Sequence, residues 1–165
     1  MKICLISKEY PDECPGGIGS YTAGMAKALA LAGHEVHVLS RSPSMARTYQ
    51  DGPVTVHKLM PKILRSSLVR RYFDNLIYSI AVASAVRRLV RDKGVELVEA
   101  PEFAAEGFIY SILPCRPVPL VIRLHTPLKI TEQLNQTKHS LGGALFVKLL
   151  NWMERSSILK ADMVT

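Results

Sequence analysis

Cysteine is scarce in this chain, with three residues in 165, and Cys4, Cys14 and Cys115 stand far apart. An odd, dispersed set excludes a disulfide framework and a C-x-x-C metal knuckle, so reduced thiols and no bound metal are expected. Long apolar runs are also missing. None reaches the roughly 18–20 residues that a membrane span needs. The longest, residues 76–86, is bracketed by Asp74-Asn75 and Arg87-Arg88 and reads as a buried helix face. The opening Met1-Lys2-Ile3-Cys4-Leu5-Ile6 is too short for the apolar segment of a signal peptide and lacks a small-residue cleavage site, which makes a cytoplasmic location the default. No internal repeat and no low-complexity segment is found. Apolar residues at 48% and charged residues at 21% are ordinary for a globular domain.

Acid is short in one region. The net charge is +7, yet residues 41–93 hold eleven Lys and Arg against Asp51, Asp74 and Asp92, leaving the remainder of the chain near neutral. Such a concentration suits an anionic partner such as nucleotide phosphates, a lipid pyrophosphate or an anionic bilayer; the plain alternative is a solvated helix face. Within it, residues 62–73 interleave basic, apolar and aromatic side chains, as an interfacial helix does. No recognition motif for nucleic acid is present.

What is there is an alternation of strands and helices. Residues 2–7 form an apolar run that reads as a buried strand, followed by a Pro-, Gly- and acid-rich loop over 8–17. Ile18, Tyr21, Met25 and Leu29 then fall at helical spacing, with Gly33 as the stop. Residues 34–40 are a second strand and 54–59 a third. A long helical region over 66–92 leads to a fourth strand at 95–100. A helix is expected over 103–113, a fifth strand at 120–124, a final helix over 141–159, and a sixth strand beginning at 161–165. Mostly apolar strands alternating with helices predict a Rossmann-like, doubly wound parallel α/β sheet with helices on both faces. A chain stopping just as a strand starts is expected to be cut from a larger protein.

Ligands of such sheets bind at the carboxyl ends of the strands. The first loop leads into Pro15-Gly16-Gly17-Ile18-Gly19, where bare backbone and the helix dipole favour an anion, unless the glycines only make a flexible connection. No Lys-Ser or Lys-Thr follows them, so a Walker loop is excluded. The dinucleotide fingerprint fits only in part, because Thr22 stands where its third glycine belongs. Arg41 after the second strand could meet a 2′-phosphate, which keeps an NADP-dependent enzyme as an alternative. His125 ends the fifth strand before Thr126-Pro127, where its ring could donate a hydrogen bond to a hydroxyl or phosphate; otherwise it is a structural histidine. His34, His37, His57 and His139 lack that placement. Glu99 and Glu102, at the end of the fourth strand, could hold sugar hydroxyls, or Glu102 could decorate a helix start. Arg123, inside an apolar strand, calls for an anionic partner, and one of these glutamates is the natural candidate.

Taken together, Pro15-Gly16-Gly17, Gly33-His34-Glu35-Val36-His37-Val38-Leu39, Leu124-His125-Thr126, Glu154-Arg155 and Ala161-Asp162-Met163-Val164 resemble the family 4 glycosyltransferases over essentially the whole chain, as their acceptor-side domain. The resemblance implies a GT-B fold, in which two Rossmann-like domains transfer a sugar, of hexosyl type, from a nucleotide-sugar to an acceptor with retention of configuration and without a catalytic metal or separate cofactor. On it, Gly16 and Gly17 lie near the donor phosphates and His125 is the catalytic-site histidine that contacts the donor sugar. The Glu99–Glu102 segment then shapes the acceptor side; from position alone, Thr126 is a candidate sugar or acceptor contact beside it, and Arg41 and Arg123 are candidate anion contacts. Implied partners are a nucleotide-sugar and a sugar or lipid-linked acceptor; the pattern of residues 62–73, apart from the resemblance, suits peripheral contact with an anionic inner membrane face. The family's paired glutamates belong to a second domain that this chain lacks, so the 165 residues alone are expected not to turn over. The alternative from another class is a non-catalytic module that binds an anionic surface.

Overall fold

The computed structural model describes residues 1–13, 16–61, 67–136 and 140–165, with the side chains of residues 67–72 left aside. Lys2–Ile6 forms β1, and its neighbours on either side are β2 (Glu35–Arg41) and β5 (Leu97–Pro101), both parallel to it. The sheet runs β3-β4-β2-β1-β5-β6-β7, where β4 is Val54–Leu59, β6 Leu120–Arg123 and β7 Met163–Val164. Chain order therefore reverses at β1, and this is where an open parallel sheet leaves a crevice beyond its strand ends.

Strands buried on both faces explain the apolar runs. Ile3 and Leu5 pack with Ala23 and Ala26 of α1 (Gly17–Leu31), with Val36, Val38, Val54 and Val56 in the same layer. Cys4 and Ile6, one residue out of phase, face Tyr78, Val82, Val86 and Leu89 of α2 (Ser67–Lys93). Period two in the strand delivers alternate residues to opposite helix layers. Cys4 is fully buried and its thiol is pushed up to about 12 by burial, as befits a small core residue. Cys115 is exposed and free, and Cys14 lies outside the described residues.

Three elements differ from the sequence expectation. Arg47–Asp51 forms β3, an antiparallel edge strand paired to β4 through a turn at Gly52, whose φ of +59° suits glycine. Its residues Arg-Thr-Tyr-Gln-Asp are polar and largely exposed, so they carry no apolar alternation to detect. Residues 103–113 are not one helix: a 3₁₀ turn at Phe103–Ala105 precedes a four-residue α3 (Phe108–Ser111). Leu128–Asn135 forms α4, a short polar helix that buries no residue fully. The last helix, α5 (Leu141–Leu159), begins at Ser140, whose side chain accepts from the Gly143 N–H. No helix among the described residues is long and apolar enough to cross a membrane.

Candidate functional site

The loops after β1, β2, β5 and β6 meet at the carboxyl edge of the sheet. β1 ends in Ser7, whose hydroxyl donates to the Glu9 carbonyl at 2.7 Å. The Glu9 side chain then lies against the start of α1. Gly16 is the extended residue that opens that helix, with no side-chain cap, and a Cβ there would overlap the Glu9 carboxylate. A Cβ on Gly19 would stand 2.9 Å from the Glu9 Cβ and 3.0 Å from its carbonyl carbon, whereas one on Gly17 meets nothing within 4 Å. Close approach to the Glu9 backbone thus requires Gly19, Gly16 meets only the movable tip of the Glu9 side chain, and Gly17 leaves open backbone at a helix start. Glu9 supplies negative charge to a helix end whose first N–H groups attract it.

His125 follows β6 and is half-buried. Its backbone N–H donates to both carboxylate oxygens of Glu102, each at 2.8 Å. Its ring meets Tyr21 of α1 edge-on, with centroids 4.9 Å apart and planes at 78°. The Tyr21 ring also carries the Arg123 guanidinium at 5.5 Å, and Arg123 donates to Glu99 at 3.3 Å. Burial, followed by the Glu99 charge, raises the Tyr21 hydroxyl, with Arg123 opposing. Tyr21, His125, Arg123 and Glu99 therefore form one contiguous wall beside the glycines. The expected anionic partner of Arg123 is Glu99.

Two candidate residues stand differently from expectation. Glu102 is fully buried, and its carboxylate is occupied beneath the His125 loop rather than open to a sugar hydroxyl. Arg41 donates to Asp74 through both terminal nitrogens, one of them at 2.6 Å, and Lys8 Nζ reaches the same carboxylate at 2.7 Å. Burial opposes ionisation of Asp74, but the Arg41 and Lys8 hydrogen bonds overcome it and hold this carboxyl down at about 2. The cation that the NADP alternative needs is thus matched within the chain. Thr126 is exposed beside His125.

The other histidines lie off the site. His34 meets the N-terminal amine, and His37 and His57 pair with each other at 3.1 Å. His139 and residues 62–66 are outside the described residues, as are the side chains of 67–72, so the basic interfacial segment gets no structural account. Sequence reasoning missed four contributors. Tyr21 read as core because it sits at the helical apolar spacing. Asp74 read only as the flank of an apolar run. Glu9 had no feature beyond an acid-rich loop, and Glu106, buried on the β5 side, accepts the Lys8 N–H at 2.6 Å.

Comparison with known proteins bears on the family and the fold. The profile of Glycosyltransferase Family 4 matches residues 15–165. Glycogen synthase of Mycobacterium tuberculosis (strain ATCC 25618 / H37Rv) is 50% identical over 44 residues, 27% of this chain and 11% of that protein. Among solved structures, sucrose-phosphate synthase from Thermosynechococcus elongatus superposes over 99% of this chain and 41% of its own, with TM-score 0.71 and 19% identity. The catalytic domain of starch synthase IV from Arabidopsis thaliana, bound to ADP and acarbose, covers 78% of this chain and 34% of its own, with TM-score 0.53 and 17% identity. The chain thus spans well under half the length of these relatives. A profile match over nearly all of its residues, on a Rossmann-like sheet of the GT-B kind with glycines and a histidine at its strand ends, means that the chain belongs to glycosyltransferase family 4.

Proposed function

We propose that this chain is the acceptor-side half of a two-domain transferase that moves a hexosyl group from a nucleotide-sugar to an acceptor with retention of configuration. The observation that carries the reading is the placement of His125: fixed by Glu102 through its backbone and by Tyr21 through its ring, it stands beside the helix start where Gly17 leaves bare backbone. In this reading the leaving diphosphate lies against the Gly16-Gly17 N–H groups, whose dipoles need no reorganisation as charge develops. Cations from the second half complete the neutralisation. His125 donates a hydrogen bond to a hydroxyl of the transferring sugar, and Thr126, Glu99 and Arg123 line the side from which hydroxyls of sugar or acceptor enter. Glu9 shares the helix start with the diphosphate and has to withdraw when it arrives.

For a lipid-linked acceptor, the mixed basic and apolar composition of residues 62–73 suits contact with an anionic bilayer. The test of the main reading is transfer from a panel of nucleotide-sugars by the enzyme that contains this chain, with and without His125→Ala. Transfer that falls by a factor of about a hundred or more, at unchanged thermal stability, is expected. An unchanged rate removes His125 from the site, and absence of transfer with every donor in the wild type removes the reading itself.

A further inference from the structure

The turn between β5 and α3 carries unusual backbone. Ala104 and Ala105 both lie in the left-handed region, at φ 58° and 54°, where the Cβ crowds the following carbonyl. Consecutive alanines hold that conformation only where the surroundings over-determine it. Here the Ala104 N–H donates to Glu154 Oε1 at 2.8 Å, and the Ala105 N–H donates to the Glu102 carbonyl at 3.0 Å. The other Glu154 oxygen accepts the Leu128 N–H at 3.1 Å, at the start of α4. One buried carboxylate on α5 therefore ties the β5 turn to the loop that carries His125.

The same turn carries two more. Glu102 accepts the His125 N–H, and Glu106 accepts the Lys8 N–H, at the end of β1 and just ahead of Glu9. Glu102, Glu106 and Glu154 are at most 4% exposed. Lys8, Ala104, His125 and Leu128 are loop or helix-start amides, and in each the partner is a carboxylate where a sheet amide would have a backbone carbonyl. A carboxyl side chain suits the task, because its two oxygens can join two segments that have no ladder between them. Away from water, such bonds meet little competition.

We propose that Glu102, Glu106 and Glu154 are positioning residues that lock the loops after β1, β5 and β6 into one preorganised unit, so that His125 and the glycine turn keep their mutual placement before a ligand arrives. The inference rests on reading this edge as the transfer site, and it assigns the precision of that site to groups that never touch substrate.

The test is residue-resolved amide exchange on this 165-residue chain, without ligand. In the wild type, the amides of Lys8, Ala104, His125 and Leu128 are expected to be protected like those of β1 and β5; free exchange at these four overturns the proposal. In Glu154→Gln, one oxygen still accepts while the NH₂ opposes the other amide. Exchange at Ala104 or Leu128, and at His125, is then expected to quicken on the order of tenfold, with the His125 ring proton shifts moving as its contact with Tyr21 loosens. Amides of Val38 and Val98 should stay within about twofold of wild type. Glu154→Leu should loosen both Ala104 and Leu128, and Gln should restore part of the protection. A uniform quickening across the sheet, or none anywhere, overturns the proposal. No transfer is measured, so the outcome is independent of whether the transferase reading survives.

Discussion

The backbone nitrogen of His125 lies 2.8 Å from both carboxylate oxygens of Glu102, a side chain with no exposure to solvent. A buried acceptor of this kind is costly to remove, since the His125 N–H loses its partner and the pocket loses the side chain that fills it. Glu102→Ala is therefore expected to destabilise the chain by about 1–3 kcal/mol. Glu102→Gln, which keeps one acceptor oxygen, should lose less. Chemical denaturation of the two variants checks the order, and equal losses would mean that one remaining acceptor oxygen and the side-chain volume contribute nothing.

The glycines separate in the same quantitative way. Gly19→Ala places a Cβ 2.9–3.0 Å from the Glu9 Cβ and carbonyl carbon, and backbone cannot swing aside as a side-chain tip can. An overpacking cost of about 1–3 kcal/mol is expected. Gly17→Ala meets nothing, sits in the first turn of α1, and should gain up to about 1 kcal/mol from helix propensity. Under the proposed function this stabilising change should also weaken binding of a nucleoside diphosphate, because its methyl group stands where the ligand approaches bare backbone. Calorimetry on the transferase that contains this chain would show the trade. Unchanged affinity would move the diphosphate away from Gly17.

The contrast between Gly17 and Glu102 shows what can be read from a sequence and what cannot. Strands β1, β2, β5 and β6 were legible as largely apolar runs and β4 by its alternation, and a parallel sheet followed from their alternation with helices. β3 was not, because an exposed polar edge strand carries no apolar signature; only the Asp51-Gly52 turn hinted at it. Residues 103–113 contain alanines that by local propensity belong in a helix, yet Glu154 and the Glu102 carbonyl hold Ala104 and Ala105 left-handed. That is tertiary structure overriding propensity through one partner, Glu154, 50 residues from Ala104, and no local pattern announces it. At the candidate site, Gly16 and Gly17 were singled out as glycines at a helix start, Glu99 and His125 by their strand-end positions, and Arg123 as a charge in an apolar strand. Tyr21 was hidden in a core-like spacing, and the burial of Glu102 depends on where α5 returns to the sheet.

The same buried acids give stability an unusual pH dependence. Burial pushes the Glu106 carboxyl up to about 8, against the Lys8 N–H and charge that lower it, with Glu9 adding to the rise. Burial likewise pushes Glu154 up to about 7, against the N–H groups of Ala104 and Leu128, with Glu102 adding to the rise. An acid raised above its ordinary value of 4.5 contributes stability that is fully present below 4.5 and is lost as pH climbs through the folded value. Two other groups act the opposite way but lower on the scale. Asp74, held at about 2, loses its contribution only below its ordinary 3.8. His57 is held at about 4 by burial and then by His37, Arg88 and Lys93, and its contribution falls away from pH 6.5 downward. The interval from pH 6.5 to 8.5 is therefore dominated by the two glutamates, with His57 opposing them only near its lower end. Over it, the unfolding free energy of the wild-type chain is expected to fall by about 2 kcal/mol or more, while Glu106→Gln should show a visibly shallower decline. Parallel curves for wild type and variant in urea denaturation would mean that Glu106 ionises freely in the folded chain, and that its hydrogen bond to Lys8 outweighs its burial.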